Sequence, residues 1–388
     1  MKKISAVLLV MVLVGSVAFA GFTGNASVEF GADLDAGTYG LTNGTELTAE
    51  VTILELLVDK AGEGDIYAEI SAELTFGFDF EDVAAGVVTP AGDVDITIAK
   101  IVGGNWYVSI LGPMDAPDFA ESAIDEDAGD DPVNLVAVAG TGGGVEVGFA
   151  DYAFGLAIDN TSAFDGTVYD IFGAVATPEY ALADGLTVKF GGAGVLASAG
   201  KKVSGSAKVA YATDDYSASL ATDVIYTGAG LAAEVAVNSV FDPVTVDVYF
   251  ANDAPASTHA VKKNLLSVKA AAADLAGFDV TVTGKDLINS QALSASAKYA
   301  LTEELKVGVN GGYTIDGGAW EAGGDVAYTV ADFTAKADVT YASAKTLEVN
   351  ASIESTTLVD GATLSLGYEN GDILSLKGAI KATATIAF

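Results

Sequence analysis

The chain of 388 residues has no cysteine, no arginine and one histidine, His259. Without thiols and with a single imidazole, a Cys/His zinc site cannot be assembled. Without cysteine there is no disulfide framework either. Positive charge is equally scarce: 18 basic residues, all lysine, stand against 53 Asp and Glu. Nucleic-acid binding needs clustered cations on the phosphate backbone, so that class is excluded. After Gly21 no apolar run is long enough for a transmembrane helix, which takes about 18 residues or more. What is present is an unusual pairing. Hydrophobic residues make up 51% of the chain while the formal net charge is −35. That much apolar side chain excludes intrinsic disorder. Joined to such acidity, it implies an apolar surface that faces something other than the chain's own core.

The first residues read as an address. Met1-Lys2-Lys3 is basic, Ile4 to Val17 is mostly apolar, and Ala18-Phe19-Ala20 is a small-x-small cleavage site before Gly21. These are the three parts of a secretory signal peptide, here residues 1–20, with an apolar run too short to serve comfortably as an anchor. No Cys follows the site, so a lipoprotein is not expected.

Beyond Gly21 the period is two. Ile66, Ala68, Ile70, Ala72, Leu74, Phe76 and Phe78 share one parity, with Tyr67, Glu69, Ser71, Glu73, Thr75 and Gly77 between them. Successive strand residues point to opposite faces, so such a segment has one apolar and one mainly polar face. The pattern returns in 203–211, 216–226, 293–299, 333–341 and 347–353, with tight turns such as Asp214-Asp215 between. We delimit about 22 strands, within a range of roughly 16–24 because strand boundaries are the least determinate feature. Near Asp151 the parity changes, which requires a turn or a bulge there. The Ala-rich stretch Lys269–Ala276 reads as a short helix or as a strand end and turn.

Alternation alone fits a soluble sandwich with the apolar face inward or a membrane barrel with it outward. So long a meander is too many strands for one sandwich. Aromatics also crowd strand ends, as Tyr211 and Tyr216 flank one turn and Tyr328 and Phe333 another. Interfacial girdles have that disposition.

The last strand decides between them. Counting back in twos gives Phe388, Ile386, Ala384, Ala382 and Ile380, with Ala387, Thr385, Thr383 and Lys381 between. This resembles the terminal strand of Gram-negative outer-membrane β-barrels. The resemblance implies that Phe388, Ile386 and Ala384 are read by the barrel-assembly machinery. The start, Gly21 to Phe30, is similar to that of porin-like major outer-sheath proteins of spirochaetes. The expected fold is therefore all-β: residues 21–388 form a single transmembrane antiparallel up-and-down β-barrel in the outer membrane, surrounded by its lipid. Both chain ends should lie in the periplasm. Long connections at 35–44, 79–92, 112–132 and 251–262 fall on the outer side, and tight ones at Gly103-Gly104, Asp214-Asp215 and Thr302-Glu303 on the inner side. The resemblance also implies a homo-oligomer, a trimer in general porins.

Charge is distributed unevenly. Residues 21–180 hold 30 acids and 2 lysines, residues 181–388 hold 23 and 14. The densest acidic run is Asp115, Asp118, Glu121, Asp125, Glu126, Asp127, Asp130 and Asp131, in the loop 112–132 between the fifth and sixth strands. General porins fold that loop into the lumen as a constriction. Folded inward, these carboxylates focus a negative potential and favour cations; otherwise they form a solvated outer loop. Residues 125–131 do not match the spaced EF-hand pattern. General porins set a row of Arg opposite the acidic loop, a device this chain lacks. Lys189, Lys208, Lys298, Lys306 and Lys336 have lumen parity and are a softer substitute. Glu50, Glu69, Glu73, Asp223, Glu234, Asp247, Asp279, Asp325, Asp338 and Glu348 share that parity, and the simplest expectation is that they hydrate an aqueous channel.

Other motifs fail. Gly194 to Lys202 has the wrong spacing for a phosphate loop, with Lys202 where Ser or Thr is needed. Gly140-Thr-Gly-Gly-Gly144 precedes no helix. His259 is the one imidazole base, in a loop near Asp253, and reads as a surface residue. The expectation is a channel for ions and small hydrophilic solutes, with cation preference, no enzymatic activity, no cofactor and no metal. The alternative is a structural or adhesive surface barrel with acidic binding loops.

Overall fold

The computed structural model describes residues 25–40, 46–58, 66–79, 89–112, 114–124, 143–159, 170–197, 200–227, 230–252, 264–288, 291–359, 361–370 and 378–387. Among these residues there is no helix, and the chain runs as 24 strand segments. The first twelve are β1 (Asn25–Asp33), β2 (Thr38–Gly40), β3 (Glu46–Val58), β4 (Tyr67–Asp79), β5 (Thr89–Val102), β6 (Trp106–Ser109), β7 (Gly143–Phe149), β8 (Tyr152–Asp159), β9 (Asp170–Ala176), β10 (Tyr180–Ala183), β11 (Leu186–Ala197) and β12 (Gly200–Ala212). The others are β13 (Tyr216–Thr227), β14 (Gly230–Phe241), β15 (Val244–Asn252), β16 (Leu265–Leu275), β17 (Phe278–Lys285), β18 (Ala292–Ala300), β19 (Leu305–Thr314), β20 (Ala319–Val330), β21 (Phe333–Ala342), β22 (Leu347–Val359), β23 (Ala362–Asn370) and β24 (Ala379–Ala387).

Every pairing is antiparallel, and neighbours in sequence are neighbours in the sheet. The last strand returns to the first: β24 pairs with β1 from Asn25 opposite Ala387 to Asp33 opposite Ala379. A sheet that meets itself leaves no open edge there, which hydrocarbon demands. Two wall positions are each built from two segments. β2 and β3 both lie along β1, and β9 and β10 both pair with β11. The 24 segments thus occupy 22 positions, the number expected from the alternation.

Local chemistry explains the breaks. Between β9 and β10, Pro178 has no N–H to give the ladder. Thr177 keeps the junction closed: its N–H donates to Phe190 O at 2.9 Å, and its hydroxyl oxygen accepts from the Phe190 N–H at 3.0 Å. At the parity change, Ala150 and Asp151 both have positive φ, +47° and +68°, so the answer there is a two-residue turn rather than a bulge. At Asp214-Asp215 the Thr213 hydroxyl accepts from the Tyr216 N–H at 3.1 Å. Between β18 and β19, the Thr302 hydroxyl accepts from Glu304 and Leu305 N–H at 3.2 and 3.0 Å. The Ala-rich stretch is strand to Leu275, then a turn with Ala276 at φ +55°.

These short turns share one end of the barrel with both described chain termini. The longest connections, those after β6 and β15, leave from the other end. Aromatics gather where the short turns are: Tyr211 and Tyr216 rings lie 6.4 Å apart, Tyr216 and Phe241 6.4 Å, and Phe278 and Tyr299 4.7 Å. A second group, including Trp320 and Tyr341 at 5.7 Å, lies toward the opposite end. Two such belts are what a membrane's two interfaces select.

The polarity of the faces is inverted relative to a water-soluble protein. Val209 is 41% exposed and Val339 42%, and Leu220, Val309, Ile353 and Leu366 on the same outer face are also exposed. The buried side chains include Ser204, Ser206, Asp223, Glu234, Asp247 and Ser267. Leaving the outer face to water would forfeit about 25 cal/mol for every Å² of apolar surface, a loss that lipid contact removes.

Candidate functional site

Because strands alternate, the cross-strand registers sort inward residues into rows around the lumen. On the wall formed by β19–β24 and β1, one row reads Gly308, Asp325, Asp338, Asn350, Glu369, Ala379 and Asp33. The next row, two residues along each strand and so about 7 Å away, reads Lys306, Ala327, Lys336, Ser352, Gly367, Lys381 and Gly31. A band of carboxylates thus borders a band of lysines. Lys381 reaches Glu369 at 3.0 Å, and the Asn350 amide donates to Asp338 at 3.0 Å. Asp33, Asp35, Asp338, Glu348 and Lys336 line a recess of about 690 Å³.

The wall across the lumen, β8–β14, is different. It carries an inward apolar cluster, Ala157, Ala174, Ala193 and Ala232 with Phe172 and Ile225, beside inward polar residues such as Lys189, Ser206 and Asp223. Phe172 is completely buried, although it faces the lumen. What covers it is the chain leaving β6. Residues 114–124 fold inside the barrel, and Met114 and Ala116 pack against the Phe172 cluster. Pro117 lies on the backbone of Gly191, where any Cβ would collide with its ring. The Ser206 hydroxyl donates to the Pro117 carbonyl. The Asp223 carboxylate accepts from the Phe119 N–H, at 2.9 Å, and from the Ala120 N–H. The Lys189 ammonium sits 5.1 Å from the centre of the Phe119 ring, a cation–π contact.

Asp115, Asp118 and Glu121 stand exposed along this segment, between the residues that touch the wall. Asp125, Glu126, Asp127, Asp130 and Asp131 lie outside the described residues, as do His259, residues 1–24 and Phe388. Ile386 and Ala384 stand in β24 opposite Ala26 and Val28. Lys208 is exposed opposite Lys189. Lys298 is opposite Asp279, and Lys306 and Lys336 belong to the lysine row. Glu69 pairs with Lys100 at 3.7 Å. Glu50 and Glu73 are placed by backbone register alone, opposite Thr75 and Thr52.

Three inward acids are not in contact with a water-filled space, contrary to the simplest expectation. Asp223 is 2% exposed, Glu234 2% and Asp247 8%. The reason is local cover: the inner loop sits on Asp223, the Tyr249 hydroxyl donates to Glu234, and the Asn238 amide donates to Asp247 at 2.7 Å. The sequence reading also missed the seat of the loop. Gly191, Ser206 and Asp223 lie on three different strands, and Asp223 is about a hundred residues from the backbone it holds. Phe172, an aromatic on the lumen side of its strand, was the one available signal.

The fold is that of an antiparallel transmembrane β-barrel. This rests on the returning ladder, the 22 wall positions and the inverted faces. No family model matches the chain, and no curated protein matches it. Among solved structures it is similar to engineered forms of the Rh. blastica porin. One multiple mutant is 13% identical over 95% of this chain and 99% of its own, with a TM-score of 0.31. A second variant is 12% identical at the same coverage, with a TM-score of 0.32. A triple mutant of the Rhodopseudomonas blastica porin is 12% identical at the same coverage, with a TM-score of 0.30.

Proposed function

We propose that the chain is an outer-membrane diffusion channel that passes ions and small hydrophilic solutes, with a preference for cations. The observation that carries this reading is the polar, charged inner wall narrowed by a loop folded inside the barrel. A barrel that served only as a surface scaffold has no use for an inward loop latched to its own wall. Asp115, Asp118 and Glu121, exposed on the loop, are set against the lysine and carboxylate rows across the lumen. Carboxylates outnumber lysines in this arrangement, so the net field favours cations. The lysines of the far wall moderate that preference without the fixed fork of an Arg row. Residues 1–20 are the export signal, the terminal strand is the signal for barrel assembly, and the working form is a homo-oligomer.

Reconstitution into planar bilayers tests the reading. Stepwise ionic conductance is expected, with a reversal potential of cation-selective sign under a KCl gradient. Silent bilayers remove the channel; anion selectivity removes the role given to the acidic loop.

A further inference from the structure

Asp223 stands directly opposite Glu234 across the β13–β14 ladder. Directly opposed strand residues have Cβ atoms about 4.5–5.5 Å apart, so two carboxylates share one small volume beneath the inner loop. Both side chains are 2% exposed. One oxygen of Asp223 is committed to the loop backbone, through the Phe119 and Ala120 N–H groups. Its other oxygen, Oδ1, is buried and makes no hydrogen bond. Among the described residues Asp223 has no ion pair with a lysine. A second orphan lies two residues along the same inner face, opposite Ile225. Ser204 is on the neighbouring strand, two residues from Ser206, which is the residue opposite Asp223. Its inward hydroxyl is 8% exposed and also makes no hydrogen bond. Leaving a buried polar atom unmatched costs about 1–3 kcal/mol, and buried charge is normally paired or bound to a metal ion.

We propose that Asp223, Glu234 and Ser204 form a binding site for one divalent cation of the calcium type. Two carboxylates match its charge. All the donors are oxygen, the set that Ca²⁺ takes at about 2.3–2.6 Å with flexible geometry and water completing its shell. The described residues contain no cluster of three or more carboxylate or imidazole groups that would suit a transition metal. Asp223 bridges the site to the loop: one of its oxygens holds the cation and the other holds the backbone at Phe119 and Ala120. A bound cation therefore ties the inner loop to the wall. The proposal does not depend on the channel reading.

The test uses the full folded barrel in detergent and equilibrium dialysis against radiolabelled Ca²⁺. About 0.5 M NaCl is included so that diffuse binding to surface acids is screened. Wild type is expected to retain one saturable Ca²⁺ per chain. Glu234→Gln should weaken that binding at least tenfold, and Ser204→Ala several-fold. Ser204→Ala is the decisive variant if Glu234→Gln fails to fold, because it removes a hydroxyl that makes no hydrogen bond in the protein. If that hydroxyl has no ligand, the alanine leaves Ca²⁺ binding unchanged. No saturable binding by wild type, or equal binding by wild type and Ser204→Ala, overturns the site. Conductance recorded from the same preparations separates the two readings. Conducting barrels without bound Ca²⁺ remove this site alone, and silent barrels that bind Ca²⁺ remove the channel alone.

Discussion

On the wall that carries the loop, the inward face holds an apolar cluster of Ala157, Phe172, Ala174, Ala193, Ile225 and Ala232. On the wall about ten positions away, and so across the lumen, they are Lys306, Asp325, Lys336, Asp338, Glu369 and Lys381. The backbone treats both alike, with antiparallel ladders, the same alternation and the same apolar outer face. The difference lies in what each inner face meets. Where residues 114–124 cover the first, its apolar cluster behaves as a small dry core; the other is open to the lumen, and most of its charges are exposed there. A barrel interior is therefore not uniformly wet. Where a chain segment folds inside, the wall beneath it is selected for packing, as in a soluble protein.

The sharpest way to break this comparison is to truncate one inward residue on each wall. Phe172→Ala removes a completely buried ring from the loop's seat and should cost about 3–5 kcal/mol, the range for such cavities. Lys336→Ala removes an exposed lumen side chain and should stay within about 0.5 kcal/mol, as surface changes do. Denaturant titration of the refolded barrel in lipid reads both. Equal losses would mean that the loop does not make the β8–β14 wall a core.

Two glycines make a finer cut. Gly191 and Gly367 are both inward positions in long strands. A side chain at Gly191 collides with Pro117, whereas at Gly367 it finds ordinary contact, with Ala351 O 3.8 Å away. Gly191→Val should cost about 1–3 kcal/mol, the usual penalty of overpacking, and should raise single-channel conductance as the loop is displaced. Gly367→Val should be tolerated, with conductance unchanged or slightly lowered. A Gly191→Val channel with wild-type conductance would show that the loop does not narrow the path.

How much of this was legible in the sequence follows from the same contrast. The open wall could be read in advance, because a half-buried strand declares its faces by alternation. Lys306, Lys336, Asp325 and Asp338 needed only parity to be assigned inward. The turn at Asp214-Asp215 and the 22 positions followed from the same local rule. The covered wall could not be read that way. Small residues such as Ala174 and Ala193 carry no parity signal of their own, since alanine suits either face. The contacts that seat the loop join Phe119 and Ala120 to Asp223, and Pro117 to Gly191 and Ser206. No local pattern encodes a pairing at that separation. Asp223 illustrates the limit: parity placed it inward, and only the fold shows that it is buried and bound to backbone.

The smallest effect expected is electrostatic, and it belongs to the open wall. At about 8 Å in water, one unit charge changes the energy of a passing ion by about 0.5 kcal/mol. Salt at about 0.1 M roughly halves that energy, and the charge acts with opposite sign on cation and anion, so Asp338→Asn should lower the cation-to-anion permeability ratio about twofold, and Lys336→Ala should raise it by a similar factor. Both side chains are exposed in the lumen, so mobile salt screens them. The shifts should shrink as KCl is raised from about 0.1 to 1 M, where the screening length falls from about 10 to 3 Å. Reversal potentials of the two variants at both concentrations give the answer. Opposite shifts that fade together place the two rows on the ion path; shifts of one sign, or shifts indifferent to salt, indicate that these substitutions act through the structure of the barrel rather than through the field in its lumen.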